Sequence, residues 1–188
     1  MAELDTQQMQ RSSMINRVGC IAVLLVVVLV VLIGTAFTYM SIDGKRRAVD
    51  KELDTLKNIL LQGLDAPRPL GRYAPDEAAF NTMMDAVTGL KGRIEAAKTL
   101  PELEEVYGEY KEQTADIINL VSPAAAAINQ AVRNQEAQIE GIFNRWRVQR
   151  EKLMEAINRY NSALSNFPEN VVGAVFGMKE APTGSPLM

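Results

Sequence analysis

The side chains able to do chemistry in this sequence are few, and their spacing narrows what they could do. Glu104 and Glu105 stand close to Glu109 and Glu112, and Glu151 stands four residues before Glu155, so a helix would bring carboxylates onto shared faces. Paired carboxylates can serve general acid–base catalysis or a di-metal centre. A di-iron bundle, however, needs Glu-x-x-His on facing helices, and this sequence has no histidine. Lys111 and Lys152 sit among the same carboxylates, which is the pattern of a solvated, charge-paired face. With no histidine and one cysteine, Cys20, the chain cannot build a His-dependent triad, a His/Cys zinc site, a haem or iron–sulfur site, or a disulfide within itself.

The remaining motifs are no richer in chemistry. Gly89, Gly92 and Gly141 are isolated, and no glycine-rich turn precedes a Lys-Ser or Lys-Thr pair, so no phosphate loop is expected. Arg145, Trp146, Arg147 and Arg150 form a basic and aromatic knot that could stack on nucleic acid. The net charge of −3, from 20 basic and 23 acidic residues, lacks the strongly basic face that such binding requires. Trp146 also falls on an apolar helical stripe, so it reads as a buried indole flanked by solvated guanidinium groups. The expectation is a protein that is not an enzyme, with no cofactor, metal or nucleic acid.

What positions these residues is a membrane segment followed by helices. No residue between Arg17 and Asp43 is charged, and Ile21 to Ile33 reads IAVLLVVVLVVLI. A bilayer core needs roughly 20 such residues as a helix, so residues 18–41 read as a transmembrane span with Tyr39 at one interface. A secretory signal peptide is the rival reading, with Gly34 and Ala36 as its cleavage site, although the apolar run exceeds the roughly 7–15 residues of a signal core. Lys45, Arg46, Arg47 and Lys51 follow the span against Arg11 and Arg17 before it, which places the larger domain in the cytoplasm. Lys45, Arg46 and Arg47 are also candidates for contact with anionic lipid headgroups, at about 1 kcal/mol per basic residue.

Beyond the span, apolar residues recur at intervals of three and four throughout. Val49, Leu53, Leu56 and Leu60 predict a helix that continues out of the bilayer and ends near Leu64, before Pro67 and Pro69. Pro75 opens a second helix with the seam Phe80, Met83, Val87, Leu90, Ile94 and Ala97. Thr99 and Glu102 form a capping box for a third, with Leu103, Val106, Tyr110, Gln113, Ile117 and Leu120 on its stripe. Ser122-Pro123 signals the start of a fourth helix, or a kink within a longer one. Its stripe runs Ile128, Val132, Gln135, Ile139, Ile142, Trp146, Gln149, Leu153, Ala156, Tyr160, Ala163 and Phe167, a sustained coiled-coil spacing.

The chain is therefore all-α: a polar tail over residues 1–17, the span over 18–41, an elongated antiparallel bundle over 42–178 with one long C-terminal helix, and a disordered tail over 179–188. The fourth helix would be about 67 Å long against about 35 Å for each of the others. Its seam is covered by the other helices of the chain or else by another subunit, and this mismatch predicts a homo-oligomer. Gln135 and Gln149 on the seam either fix register or lie at its solvated edge. After that helix comes an uncharged apolar segment, Val171 to Met178, too short to span a bilayer, which packs on the bundle, joins a neighbour, or dips into lipid.

Tyr160-Asn161, then Phe167-Pro168 with Asn170, then Val171-Val172 and Phe176-Gly177-Met178, resembles the C-terminal signature of the LemA family. That signature is a Tyr-Asn pair, a Phe-Pro-x-Asn turn and an apolar tail ending in Phe-Gly-aromatic. The chain departs from it in three places. Leu153-Met154 stands where an earlier Tyr-Asn pair is expected, Leu53 to Leu61 echoes the family's Arg-Arg-x-x-Leu-Ile-Pro-Asn-Leu block without its proline, and the final aromatic is Met178. The resemblance implies a bacterial inner-membrane protein with a long-helix bundle and no established catalytic activity. The family is often associated with a membrane zinc metalloprotease, an association that does not transfer by sequence.

The functional expectation is a single-pass scaffold of the bacterial inner membrane that self-associates and organises or remodels the bilayer. The alternative is an adaptor of an envelope protease or sensor system. The expected contacts, within the bundle or between copies, are Ile139, Ile142, Trp146, Tyr160, Phe167, Val171, Val175 and Phe176.

Overall fold

The computed structural model describes the backbone of residues 2–125 and 130–184, with side chains over 21–121 and 130–184. Helix α1 spans Ala2–Gly63 without a break. Its apolar part meets nothing: the large side chains from Ile21 to Ile33 are 46–64% exposed, and Phe37 and Met40 are more so. A core helix of a soluble protein hides such a surface. This one is long and apolar enough to cross a bilayer and is not buried against the rest of the chain. Thr35 and Thr38 turn their hydroxyls back onto the carbonyls of Val31 and Gly34, at 2.8 and 2.9 Å, so these two hydroxyls are satisfied within the helix.

Beyond Met40 the same helix changes character. Ile42, Leu53, Leu56 and Leu60 become buried, at intervals that keep one face toward the bundle. Pro67 and Pro69 then force a 3-10 helix over Arg68–Tyr73. Helix α2 (Glu77–Gly89) starts two residues after Pro75, where the Asp76 carboxylate caps the Ala79 N–H at 3.0 Å. Helix α3 (Lys91–Ala96) follows directly. The expected single second helix is thus broken at Leu90, beside Gly89 and Gly92, which weaken a helix and leave room for the break.

Helix α4 (Leu100–Ala125) shows the Glu102 half of the predicted capping box, with Glu102 accepting from the N–H groups of Lys98 and Thr99 at 2.6 and 3.3 Å. It runs through Ser122-Pro123, so no helix starts there. Helix α5 covers Gln130–Ser165, and Ile128 lies outside the described residues. Helix α6 (Glu169–Val175) follows the cis Phe167–Pro168 peptide. No strand occurs among the described residues.

Helix α5 runs antiparallel to both α1 and α4. Along α1, Gly63 lies beside Ile142 and Glu52 beside Gln149. Along α4, Tyr110 meets Phe143, Tyr107 meets Trp146 and Glu104 meets Arg150. Helix α2 packs on α4 and α3 on α1, closing an up-and-down bundle. The α5 seam is thereby covered within the chain: Val132, Ile139, Ile142, Trp146, Leu153, Ile157, Tyr160 and Ala163 are all buried. Of the two alternatives for this seam, cover by the chain's own helices is the one observed, because α1 continues past its apolar section as a core helix and reaches the half that α4 leaves uncovered.

The backbone is helical from Ala2, so the polar segment extends the span's helix. Residues 179–184 do not trail away either. Ala181 packs on the core, and Gly184 approaches Leu100 and Glu104. Residues 185–188 lie outside the described residues.

Candidate functional site

The features that could serve a function gather at the foot of the bundle, where α1 leaves its apolar section. A cavity of about 320 Å³ opens there between α1, the start of α4, α5 and the C-terminal segment. Leu53, Leu100, Leu153 and Ile157 line it with apolar surface, and Arg46, Asp50, Lys98 and Lys179 add charge. Tyr160 lines it as well and donates its hydroxyl proton to the Lys179 carbonyl at 3.1 Å. Burial pushes the Tyr160 phenol up, with Arg46 opposing and Asp50 reinforcing the shift.

Asn161 completes the attachment of the C-terminal segment. Its amide nitrogen donates to the Ala181 carbonyl and its oxygen accepts from the Ala181 N–H, both at 2.8 Å. Tyr160-Asn161 is thus a clamp: two adjacent α5 residues hold backbone two residues apart on the returning chain. The return itself depends on Gly177, whose φ of 65° lies in the left-handed region. Met178 N–H bonds to the Gly173 carbonyl at 2.9 Å and Gly177 N–H to that of Ala174 at 3.3 Å, the Schellman closure of α6.

Helix α6 divides the expected apolar segment between two environments. Val172 is buried with Ile42 and Tyr160, and Gly173 passes so close to α5 that a Cβ there would stand 2.7 Å from Leu164 Cδ2. Its other face and the residues flanking it are bare: Val171 is 54% exposed and Val175 75%, with Phe167 before the helix at 81% and Phe176 after it at 54%. The Phe176 ring touches Tyr39 of the span, centroids 4.8 Å apart, and Glu169 lies 3.9 Å from Lys45.

The expected contact residues therefore separate into two groups. Ile139, Ile142, Trp146 and Tyr160 are buried in this chain's own core, while Phe167, Val171, Val175 and Phe176 face outward. Trp146 is the buried indole that its place on the stripe indicates, stacked on Tyr107 at 4.4 Å. Arg145 and Arg147 are solvated beside it, but Arg150 is not. Arg150 is buried and bound to Glu104 at 2.6 Å, an ion pair that ties α5 to α4. Of the three candidate lipid contacts, Lys45 faces Glu169, Arg47 pairs with Asp43 at 2.8 Å, and Arg46 is exposed at the cavity.

Of the clustered carboxylates, Glu104, Glu105 and Glu109 tie helices together, whereas Glu155 pairs within α5. Arg93 of α3 reaches Glu105 at 3.0 Å and Glu109 at 2.5 Å on α4, and Arg159 pairs with Glu155. The hydrogen bond that Arg93 donates to Glu109 raises the Arg93 pKa, and the bond that Glu102 accepts from the Lys98 N–H lowers that of Glu102. Among the described residues, no three His, Cys, Asp or Glu side chains come together as a metal site. Tyr107, the Tyr160-Asn161 clamp and the buried Arg150 were missed by periodicity alone. A Tyr-Asn pair on the seam followed by an uncharged Gly-containing segment was the available signal for the clamp.

No curated protein and no solved structure matches this chain. A family model does match, over residues 73–184, which is more than half of the sequence. The match takes in α2 to α6, the clamp and the returning segment, but not the span or the Leu53 to Leu61 echo. On that match the chain belongs to the LemA family.

Proposed function

We propose that this chain is a non-catalytic scaffold anchored once in the bacterial inner membrane, with its bundle on the cytoplasmic side. The observation that carries the reading is the continuity of α1: one helix of 62 residues is bare and apolar in the span and buried in the bundle beyond it. An anchor joined by a flexible linker would let its domain roam. A continuous helix, about 93 Å long at 1.5 Å per residue, holds the bundle at a set height and tilt. The LemA family is not a known enzyme family, and the carboxylates most able to do chemistry are in ion pairs. The basic collar of Lys45, Arg46 and Arg47 is suited to anionic headgroups at the level where α1 leaves the bilayer.

Self-association and membrane organisation would run through the span and the foot of the bundle, because the α5 seam is already covered. Native mass spectrometry of the full chain in nanodiscs, across protein concentrations, tests this. Oligomers whose population rises with concentration are the expected result, and a monomer throughout counts against it. The closed seam favours a second reading, in which the bundle is an adaptor for another envelope protein. That reading predicts monomers together with a reproducible in-cell crosslink from the bundle surface to one different membrane protein.

A further inference from the structure

The outward face of α6 has no covering group in the chain, and its place in the fold indicates what covers it. Val171 and Val175 stand four residues apart on α6 and so share one face, with Phe167 in the turn just before the helix and Phe176 just after it. All four are more than half exposed, at one end of a bundle whose other large apolar side chains are mostly buried. Water is a poor environment for such a patch. It is not isolated: through the contact between Phe176 and Tyr39 it continues into the bare surface of the span, where Met40 and Phe37 are 68% and 69% exposed.

Charge marks the limit of this surface. No residue from Asn170 to Met178 is charged. The nearest charges flank the segment, with Glu169 beside Lys45 before it, and Lys179 after it, held back toward the bundle by Tyr160. The Schellman closure at Gly177 makes the dip and return possible within a few residues.

We propose that α6 is a second membrane-contact element, whose outward face of Val171 and Val175, flanked by Phe167 and Phe176, lies in the headgroup–acyl boundary of the bilayer that α1 crosses. Such a contact resembles that of an interfacial amphipathic helix, immersed by roughly 5–10 Å, but here the span delivers it to the surface. Two points of contact, one crossing and one lying at the boundary, fix the rotation of the bundle about α1 as well as its height. The proposal rests on the reading of α1 as a membrane anchor, and the test separates the two.

The experiment uses the full chain with Cys20→Ala, reconstituted in vesicles of phosphatidylethanolamine and phosphatidylglycerol. Single cysteines at Val171, Val175 and Phe176 carry nitroxide labels, with Val27→Cys as the reference for the span and Lys111→Cys for the solvated bundle. Collision with oxygen, which concentrates in lipid, is compared with collision with a water-soluble nickel chelate. The expected result is that the three α6 labels favour oxygen severalfold over the chelate, as the label at 27 does, at a shallower depth. If they behave as the label at 111 does while that at 27 reports lipid, the proposal is overturned and the anchor stands. If the label at 27 itself reports water, both fall. Spin–spin broadening at 176 that disappears on dilution with unlabelled protein would assign the face to a second copy and also overturn the proposal. The labelled positions are exposed, and an unchanged circular dichroism melt confirms that each variant is folded.

Discussion

Asn161 and Ala181 are joined twice, amide nitrogen to carbonyl and N–H to amide oxygen, across 20 residues of chain. One side chain thereby satisfies both backbone polar groups of the returning segment at the point where it meets α5. Tyr160, its neighbour, holds the Lys179 carbonyl. This gives a physical account of why a Tyr-Asn pair and an apolar Gly-containing tail occur together. The pair clamps the segment that the tail's turn returns.

Asn161→Ala removes both bonds and should release residues 179–184 from the bundle. The expected cost is about 1–2 kcal/mol, because the freed groups are half-buried and regain water. Asn161→Asp keeps the acceptor for the Ala181 N–H but sets a carboxylate against its carbonyl, so it should not rescue. Amide exchange at Ala181 reports the outcome, and slow exchange in the alanine variant would contradict the clamp.

The glycines separate into two kinds. Gly108 and Gly141 lie mid-helix with open space where a Cβ would stand, so Gly108→Ala and Gly141→Ala should each stabilise by about 0.5–1 kcal/mol. At Gly63 a Cβ would stand 2.9 Å from Tyr110 Oη and 3.1 Å from Ile142 Cγ2. Gly63→Ala should therefore destabilise despite its better helix propensity. Melting of the detergent-solubilised chain distinguishes the cases, and a rise in Tm for Gly63→Ala would refute the close packing of α1 on α4 and α5.

Most of the helical architecture was legible in the sequence because it depends on local spacing. Leu53, Leu56 and Leu60, or Ile139, Ile142 and Trp146, declare a buried face at three- and four-residue intervals whatever they pack against. The finer errors come from the drift of a 3.6-residue turn against a seven-residue pattern. Met84 is buried where Met83 was expected, Thr114 and Val121 replace Gln113 and Leu120, and Ile157 replaces Ala156. Which helix covers which was not legible. Gln149 is buried and bonded to Glu52, and Gln135 bonds the Ala66 carbonyl, yet the partners are 97 and 69 residues away. The split of the Val171 to Met178 segment was hidden for the same reason, since only the approach of Leu164 and Ile42 decides which face is inside.

Ile139 and Ile142 provide the test of the bundle core. Both are buried, so Ile139→Asp or Ile142→Asp would place a carboxylate without a partner among Leu and aromatic side chains, at a cost of several kcal/mol. Val148 lies on the same helix and is 45% exposed, and Val148→Asp should change stability by less than about 0.5 kcal/mol. Equal melting of the three variants would show that α5 is rotated from the placement described.

Tyr110 links the core to pH. Its hydroxyl donates to the Gly63 carbonyl at 2.9 Å, and burial pushes its pKa up to about 12. The unfolded chain releases the same proton near pH 10. Between those values the folded state binds the proton more tightly, so stability is fully present below the lower value and is lost as pH rises toward the upper one. Burial raises Tyr107 and Tyr160 too, which adds loss of the same sign. In Tyr110→Phe the Gly63 carbonyl keeps its bond from the Ala66 N–H at 3.0 Å, so the neutral-pH cost should be modest, about 0.5–1.5 kcal/mol. The variant should then lose less stability than the parent across the alkaline window, and the gap between them should narrow as pH rises. Urea unfolding of both proteins, at neutral pH and within that window, measures this directly. Parallel losses would mean that Tyr110 titrates as a solvated phenol, and that the helices of the core stand further apart than the 2.9 Å bond requires.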